Sequence, residues 1–246
     1  MTLRALWRWC LLCLLAVLVL QLFFGLRVAS MALVAPESTS FERSQAWQIL
    51  QRQGRLPWRQ HWTDLPHISR HLQRAVIVSE DDTFSQHEGL RWDALKKAWD
   101  KNTRAQARAE RQASQRPGAP APAAKVVGGS TITQQLAKNL FLSGERTLLL
   151  KGQEMLITFT LEACLSKARI LEIYLNSVEW GEGVFGAEAA AQHYFRKPAS
   201  QLNAWEAARL AVMLPRPRYF EKLPQSPWLA ERAEVIMGRM NSAVLP

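Results

Sequence analysis

The chain has 246 residues, enough for one ordinary domain plus an extra segment, and its 48% apolar content is that of a folded protein. Of its three cysteines, Cys10 and Cys13 lie in an apolar run and Cys164 in a helical pattern, which leaves no disulfide framework and no complete zinc-ligand set. The net charge of +10 is uneven: between Arg91 and Lys125 nine basic residues face only Asp93, Asp100 and Glu110. Such a patch suits nucleic acid, anionic headgroups or a polyphosphate, and charge alone does not choose among them.

The N-terminus does choose. Arg4 and Arg8 precede an apolar run, Cys10 to Leu26, interrupted only by Gln21. Roughly 20 apolar residues are enough to span a bilayer, so a transmembrane helix is expected over 9–31. The arginines ahead of it favour a cytoplasmic segment 1–8 and an exported remainder, although Arg27 and Arg43 weaken the asymmetry. The small residues Ala29-Ser30-Met31-Ala32 would also fit a signal-peptide cleavage site, but the run is long for a signal-peptide core, and a retained anchor is the expectation. A membrane-bound protein without a nucleic-acid reading motif is a poor nucleic-acid binder.

A membrane-proximal segment, 32–57, carries Trp47, and Trp58 and Trp62 follow; aromatics here suit either a membrane interface or a core. Pro66 then opens a helical pattern whose face is Ile68, Leu72, Ala75, Val76 and Ser79, ending near Asp81. Trp92, Leu95 and Trp99 stripe a second helix. From Asn102 to Ala124 the composition turns to Ala, Gln, Arg and Pro, which predicts a mobile basic loop without means of packing. A long helical stretch resumes after Gly128-Gly129 and breaks at Ser143-Gly144. The next helix carries Leu149, Met155, Leu156, Phe159 and Cys164. Ser166 can cap KARILEIYLN, and Asn203 with Glu206 forms a capping box for WEAARLAVML, which Pro215 and Pro217 stop. Ser226-Pro227 opens a last helix. There is no alternating strand pattern of useful length, so the predicted fold is mainly α.

Three constellations carry chemistry. In GGSTITQQLAKN, residues 128–139, the glycines allow close approach to a ligand, and Ser130 or Thr131 can cap a helix whose first N–H groups face an anion. Gln134, Gln135 and Lys138 extend further donors, although a capped surface helix would read the same. In EDDTFSQHEG, Glu80 and Asp81 end an apolar helix; poor solvation there raises a carboxylate's proton affinity and suits a general base. Phe84, His87 and Gly89 would frame the turn around it. Lys151 and Glu154, at i and i+3, form either a surface ion pair or, given the apolar LLLKGQEMLITF around them, a pair half buried in a cleft. Lys167, Arg169, Glu172, Tyr174 and Asn176 punctuate the following helix, and EWGEG makes a tight acidic turn; neither is distinctive alone.

The order EDDTFSQHEG, GGSTITQQLAKN, KGQE, KARILEIYLN and GAEAAAQHYF behind a membrane anchor resembles the peptidoglycan glycosyltransferase family, from about Trp58 to Leu223. SVEWGEGVFGAEAAAQHYFRKPASQL is similar to its monofunctional Gram-negative branch rather than to the bifunctional penicillin-binding proteins, and no transpeptidase domain follows. The resemblance implies a lysozyme-like α-helical domain, 58–246, with a small mobile jaw facing the membrane. It implies polymerisation of lipid II at the periplasmic side of a bacterial inner membrane, with lipid II and the growing lipid-linked strand as partners and other cell-wall synthesis or division proteins as a further class. Residue by residue, it makes Glu80 the catalytic base on the acceptor 4-hydroxyl and Glu154 the second catalytic carboxylate, near the donor diphosphate. Lys138 and Lys151 match diphosphate-contacting lysines. Ser130, Thr131, Gln134, Gln135 and Asn139 match the cleft motif, and Asp81, Phe84, His87 and Asn176 are further candidates for substrate binding. No cofactor is required; Mg2+ or Mn2+ could share the diphosphate, with no dedicated ligand set visible. The chain departs from the family pattern at Leu150, where an arginine is usual, so that one diphosphate contact is missing or is supplied by Arg146, and in the long basic loop. A glycan-cleaving lysozyme relative and a non-catalytic scaffold are the competing classes.

Overall fold

A computed structural model describes residues 2–92, 96, 100, 103–105, 129–142 and 147–246. The mainly α expectation holds. Helix α1 runs Leu3–Ser30, α2 Ser40–Gln53 and α3 Arg70–Glu80. Beyond the basic stretch come α4 Ile132–Phe141, α5 Leu148–Cys164, α6 Lys167–Ser177 and α7 Ala187–Phe195. The last are α8 Ala204–Met213, the single turn α9 Pro217–Phe220, and α10 Pro227–Arg239. Most of the Trp92–Trp99 stripe, the loop 102–124 apart from residues 103–105, Arg146 and the Ser143-Gly144 break lie outside the described residues, and 103–105 are helical where a loop was expected.

Local chemistry sets the helix ends. Thr131, Asn203 and Thr39 each close a full capping box with Gln134, Glu206 and Glu42, and Ser166 caps α6 through the Arg169 N–H. Pro66 does not start α3: it sits in a single 3-10 turn, Leu65–His67, after which Ile68 is extended and Ser69 caps a helix beginning at Arg70. The predicted stripe on α3 is real, with Leu72, Ala75 and Val76 at 0% exposure against α8 and α10. Each large apolar side chain so buried contributes about 2 kcal/mol.

Three strands were illegible in the sequence. They are β1 Arg59–Gln60, β2 Glu179–Gly181 and β3 Val184–Phe185, in the order β1-β3-β2, with β1 parallel and β2 antiparallel to β3. At two or three residues each they are too short to show a period of two. The turn joining β2 to β3 needs Gly183, at φ +72°, because a Cβ there would lie 2.0 Å from the Pro57 carbonyl oxygen.

Helix α1 is long and apolar enough to cross a membrane, with mean hydropathy 2.6 over its most apolar window. Its far end is nevertheless built into the domain. Val28 and Met31 are buried in the main core, Arg169 Nε donates to the Met31 carbonyl at 2.7 Å, and Phe24 meets Phe141 edge-on at 5.2 Å. Gln21, the lone amide in the apolar run, exchanges two hydrogen bonds with Gln153 of α5, at 2.8 and 3.1 Å.

Candidate active site

The C-terminal end of α3 delivers Glu80 to a cavity of about 600 Å³. Its wall on α4 consists of Gln135, Lys138 and Asn139, with Ser130 just before the helix. Spacing i, i+3, i+4 puts the three helix residues on one face, while Ile132, Leu136, Ala137 and Leu140 bury the other. The opposite wall is Phe41, Val178, Glu179, Leu214, Pro215 and Pro217. One wall is therefore amide and cation, and the other is apolar except for one carboxylate.

Glu80 accepts a hydrogen bond from Gln135 Nε2 at 2.8 Å. Burial pushes its proton affinity above the ordinary glutamate value; the bonds from Gln135 and Ser79 oppose that shift without cancelling it, and the neighbouring Asp81 charge adds to it. Glu179 is likewise raised by burial, against the opposing bond from Arg218, whose Nε donates to it at 2.7 Å. Arg218 also bonds Gln45, so it ties α9, β2 and α2 together behind that wall.

Asp81 does something else. It is 2% exposed, and its carboxylate accepts from the Ile132 N–H at 3.1 Å and from His87 Nε2 at 2.9 Å. His87 Nδ1 accepts from the Gly89 N–H, which places the neutral ring's proton on Nε2, facing Asp81. The expectation that the first N–H groups of α4 stand open to an anion is corrected here: Asp81 takes one, and the Thr131 hydroxyl takes the Gln134 N–H. Asp81 thereby locks the end of α3 to the start of α4 and so brings Gln135 to Glu80.

The structure splits the expected substrate-binding residues. Glu80, Ser130, Gln135, Lys138 and Asn139 share the cavity. Asp81, Phe84, His87, Thr131, Gln134 and Asn176 do not line it, and their polar atoms are used internally or they are buried. Phe84 is fully buried under Lys167, whose Nζ is 4.6 Å from its ring centre. Thr131 donates to the Gly89 carbonyl at 2.6 Å, and Gln134 closes the capping box. Asn176 clamps Thr63, accepting from its N–H at 2.8 Å and donating to its carbonyl at 2.9 Å, and donates also to Glu172. Gly89, at φ +83°, permits the close approach of α5, since a Cβ there would lie 2.7 Å from Thr158.

Glu154 and Lys151 are paired on α5, the carboxylate largely buried and the ammonium half exposed, and neither lines the Glu80 cavity. Leu150 packs partly buried against the core. Sequence reasoning missed Phe41, Ser79 and Glu179. The signal for Glu179 was the acidic EWGEG turn, whose side chains a sequence does not orient. Among the described residues no three His, Cys, Asp or Glu side chains gather to hold a metal ion. A divalent ion here would draw most of its ligands from substrate phosphate and water.

The transglycosylase family model matches residues 48–241. The chain belongs to the transglycosylase family. It is 51% identical over 226 residues to a biosynthetic peptidoglycan transglycosylase of Burkholderia thailandensis, covering 92% of this chain and 82% of that protein. Proteins of the same name from Janthinobacterium sp. (strain Marseille) and Herminiimonas arsenicoxydans are 50% and 49% identical over 232 residues, covering 94% of this chain and 93% of each relative. This transglycosylase is thus an enzyme that transfers glycosyl groups, and its cavity is the place to seek the chemistry.

Proposed function

We propose that this transglycosylase polymerises lipid II into peptidoglycan strands from a single-pass anchor in a bacterial inner membrane, with its domain in the periplasm. The observation that carries the reading is Glu80, a carboxylate of raised proton affinity, facing the same cavity as the Lys138 cation. The carboxylate takes the proton of the acceptor GlcNAc 4-hydroxyl as that oxygen attacks C1 of the donor MurNAc. The new C1–O bond forms while the bond from C1 to the diphosphate oxygen breaks, and undecaprenyl diphosphate leaves with the electron pair. Lys138 faces the charge that develops on that leaving group, with Asn139 and Ser130 as neutral donors beside it. Lys151 and Glu154 are assigned to the donor diphosphate end on their sequence motif, and the partly buried ion pair on α5 is compatible with that role. Arg4 and Arg8 ahead of the apolar run support the orientation.

Incubation of the purified full chain with labelled lipid II in detergent tests this reading by glycan length. Ladders of long strands, lost in Glu80→Gln, are expected. Release of muropeptides from finished cell wall would mark a glycan-cleaving enzyme, and inertness towards both substrates a scaffold.

A further inference from the structure

Three helices meet behind Glu80, and their polar groups form a chain. The Tyr174 hydroxyl of α6 donates to Gln135 Oε1 at 3.0 Å, and Gln135 Nε2 of α4 donates to Glu80 Oε2 at 2.8 Å. Tyr174 is 1% exposed, so no solvent competes for its hydroxyl. A glutamine amide has two nearly isosteric ends. Turned one way it offers a donor to Glu80, which favours the carboxylate. Turned the other way it offers an acceptor, which only the protonated acid can satisfy. A donor fixed at Oε1 removes that choice.

We propose that Tyr174 is a positioning residue for the catalytic base, its hydroxyl fixing the Gln135 amide so that nitrogen, not oxygen, meets Glu80. The inference rests on the reading of Glu80 as the base. Burial raises the Tyr174 pKa well above the ordinary phenol value, with the Glu80 and Asp81 charges adding to it, so the hydroxyl keeps its proton while Glu80 titrates. The charged and titratable groups around Glu80 are Asp81 beside it, Tyr174 from α6, Lys138 from α4 and Glu179 from β2. The buried face of α8 is apolar (Ala207, Ala208, Leu210, Ala211), and Arg239 of α10 pairs with Asp82, not Glu80. Among the described residues Gln135 is the one side chain of α4 that bonds the base, beside the Ser79 bond from the base's own helix, so its orientation sets one of the two side-chain bonds the base receives.

The test is the pH dependence of lipid II polymerisation for the full-length wild type, Tyr174→Phe, Gln135→Met, the double variant and Glu80→Gln. Freed of Tyr174, Gln135 can stabilise the protonated acid. The acid limb of Tyr174→Phe should therefore move up by about 0.5 to 1 pH unit, the order expected from one hydrogen bond to a buried carboxylate. Well below the limb the rate then falls about threefold to tenfold, and on the alkaline plateau it stays within about twofold. Gln135→Met should shift the limb the same way, and adding Tyr174→Phe to it should shift it no further. A Tyr174→Phe profile lowered equally at every pH, or full additivity with Gln135→Met, would overturn the proposal. If Tyr174→Phe alone does not fold, the double variant, which leaves no buried amide unpaired, decides the question against Gln135→Met. An active Glu80→Gln would instead bring down the base assignment itself, whereas an inactive Glu80→Gln with an unshifted Tyr174→Phe limb sinks only the relay.

Discussion

The raised proton affinity of Glu80 has a stability consequence as well as a catalytic one. A carboxyl whose folded pKa lies above its unfolded value contributes stability at low pH, and that contribution is lost as pH rises through the folded pKa. Ionised Glu80 is thus a cost to the fold at neutral pH. Glu80→Gln should lower polymerisation by about 100-fold or more, the usual loss on removing a general base. It should also leave Tm at neutral pH equal to or slightly above that of the wild type, the gap closing on acidification; a clear drop in Tm would make Glu80 a fold residue instead. Asp81 serves the fold by its hydrogen bonds, as a buried carboxylate committed to an N–H and an imidazole. Asp81→Ala strips both of their partner and should cost about 3 kcal/mol in urea unfolding. The sequence shows Glu80 and Asp81 as adjacent acids at one helix end, and nothing in it says which faces the cavity. That is decided by the extended backbone at Asp81, φ −160°, which turns consecutive side chains apart.

At the scale of elements, some helix starts were legible because capping needs only residues three apart, as with Asn203 and Glu206 or Ser166 ahead of Arg169. At α4, by contrast, the cap stayed open between Ser130 and Thr131, and Pro66 marked a turn rather than the start of α3. The sequence grouped Gln134 with Gln135 and Lys138 as donors, whereas the structure turns Gln134 into the cap and puts Asn139 beside Gln135 and Lys138. Glu179 and the short strands escaped because their positions follow from contacts between segments far apart in the chain, Arg59 with Val184 and Arg218 with Glu179. Leu150 illustrates the limit. The family resemblance implies an arginine there, yet this leucine packs against the core. Leu150→Arg should therefore lower Tm through lost packing without raising turnover, and a faster enzyme of unchanged Tm would show that the side chain reaches the diphosphate after all. The Gln21–Gln153 clasp is a second contact between distant segments. Converting either residue to leucine leaves one amide unpaired, and a double-mutant cycle in nanodiscs should return a coupling of about 1 kcal/mol. Zero coupling would mean that the Gln21–Gln153 bonds do not hold α1 and α5 together.

For the whole molecule, α1 and the domain share one core, and this fixes where the chain can be shortened. The apolar run up to Leu26 is mostly exposed along its length, but Val28 and Met31 are buried in the same core cluster as Leu72 and Leu136. Arg169, which pairs with Glu172 and lies over Trp62, adds its bond to the Met31 carbonyl. A chain beginning at Arg27 keeps these contacts; a chain beginning at Pro36 loses both buried side chains and leaves Arg169 short of an acceptor. Each buried apolar side chain is worth about 2 kcal/mol, and the lost bond to a charged donor about 1.5 kcal/mol or more. Against the 5–15 kcal/mol typical of a whole domain, the shorter form should be close to unfolding. Urea titration in detergent should find the Arg27 form near full-length stability and the Pro36 form well below it. The same comparison bears on cleavage within Ala29–Ala32, which would produce a chain lacking Val28 and, cut after Met31, both core residues. Equal stability of the two truncated forms would show that the domain's core closes without the end of α1.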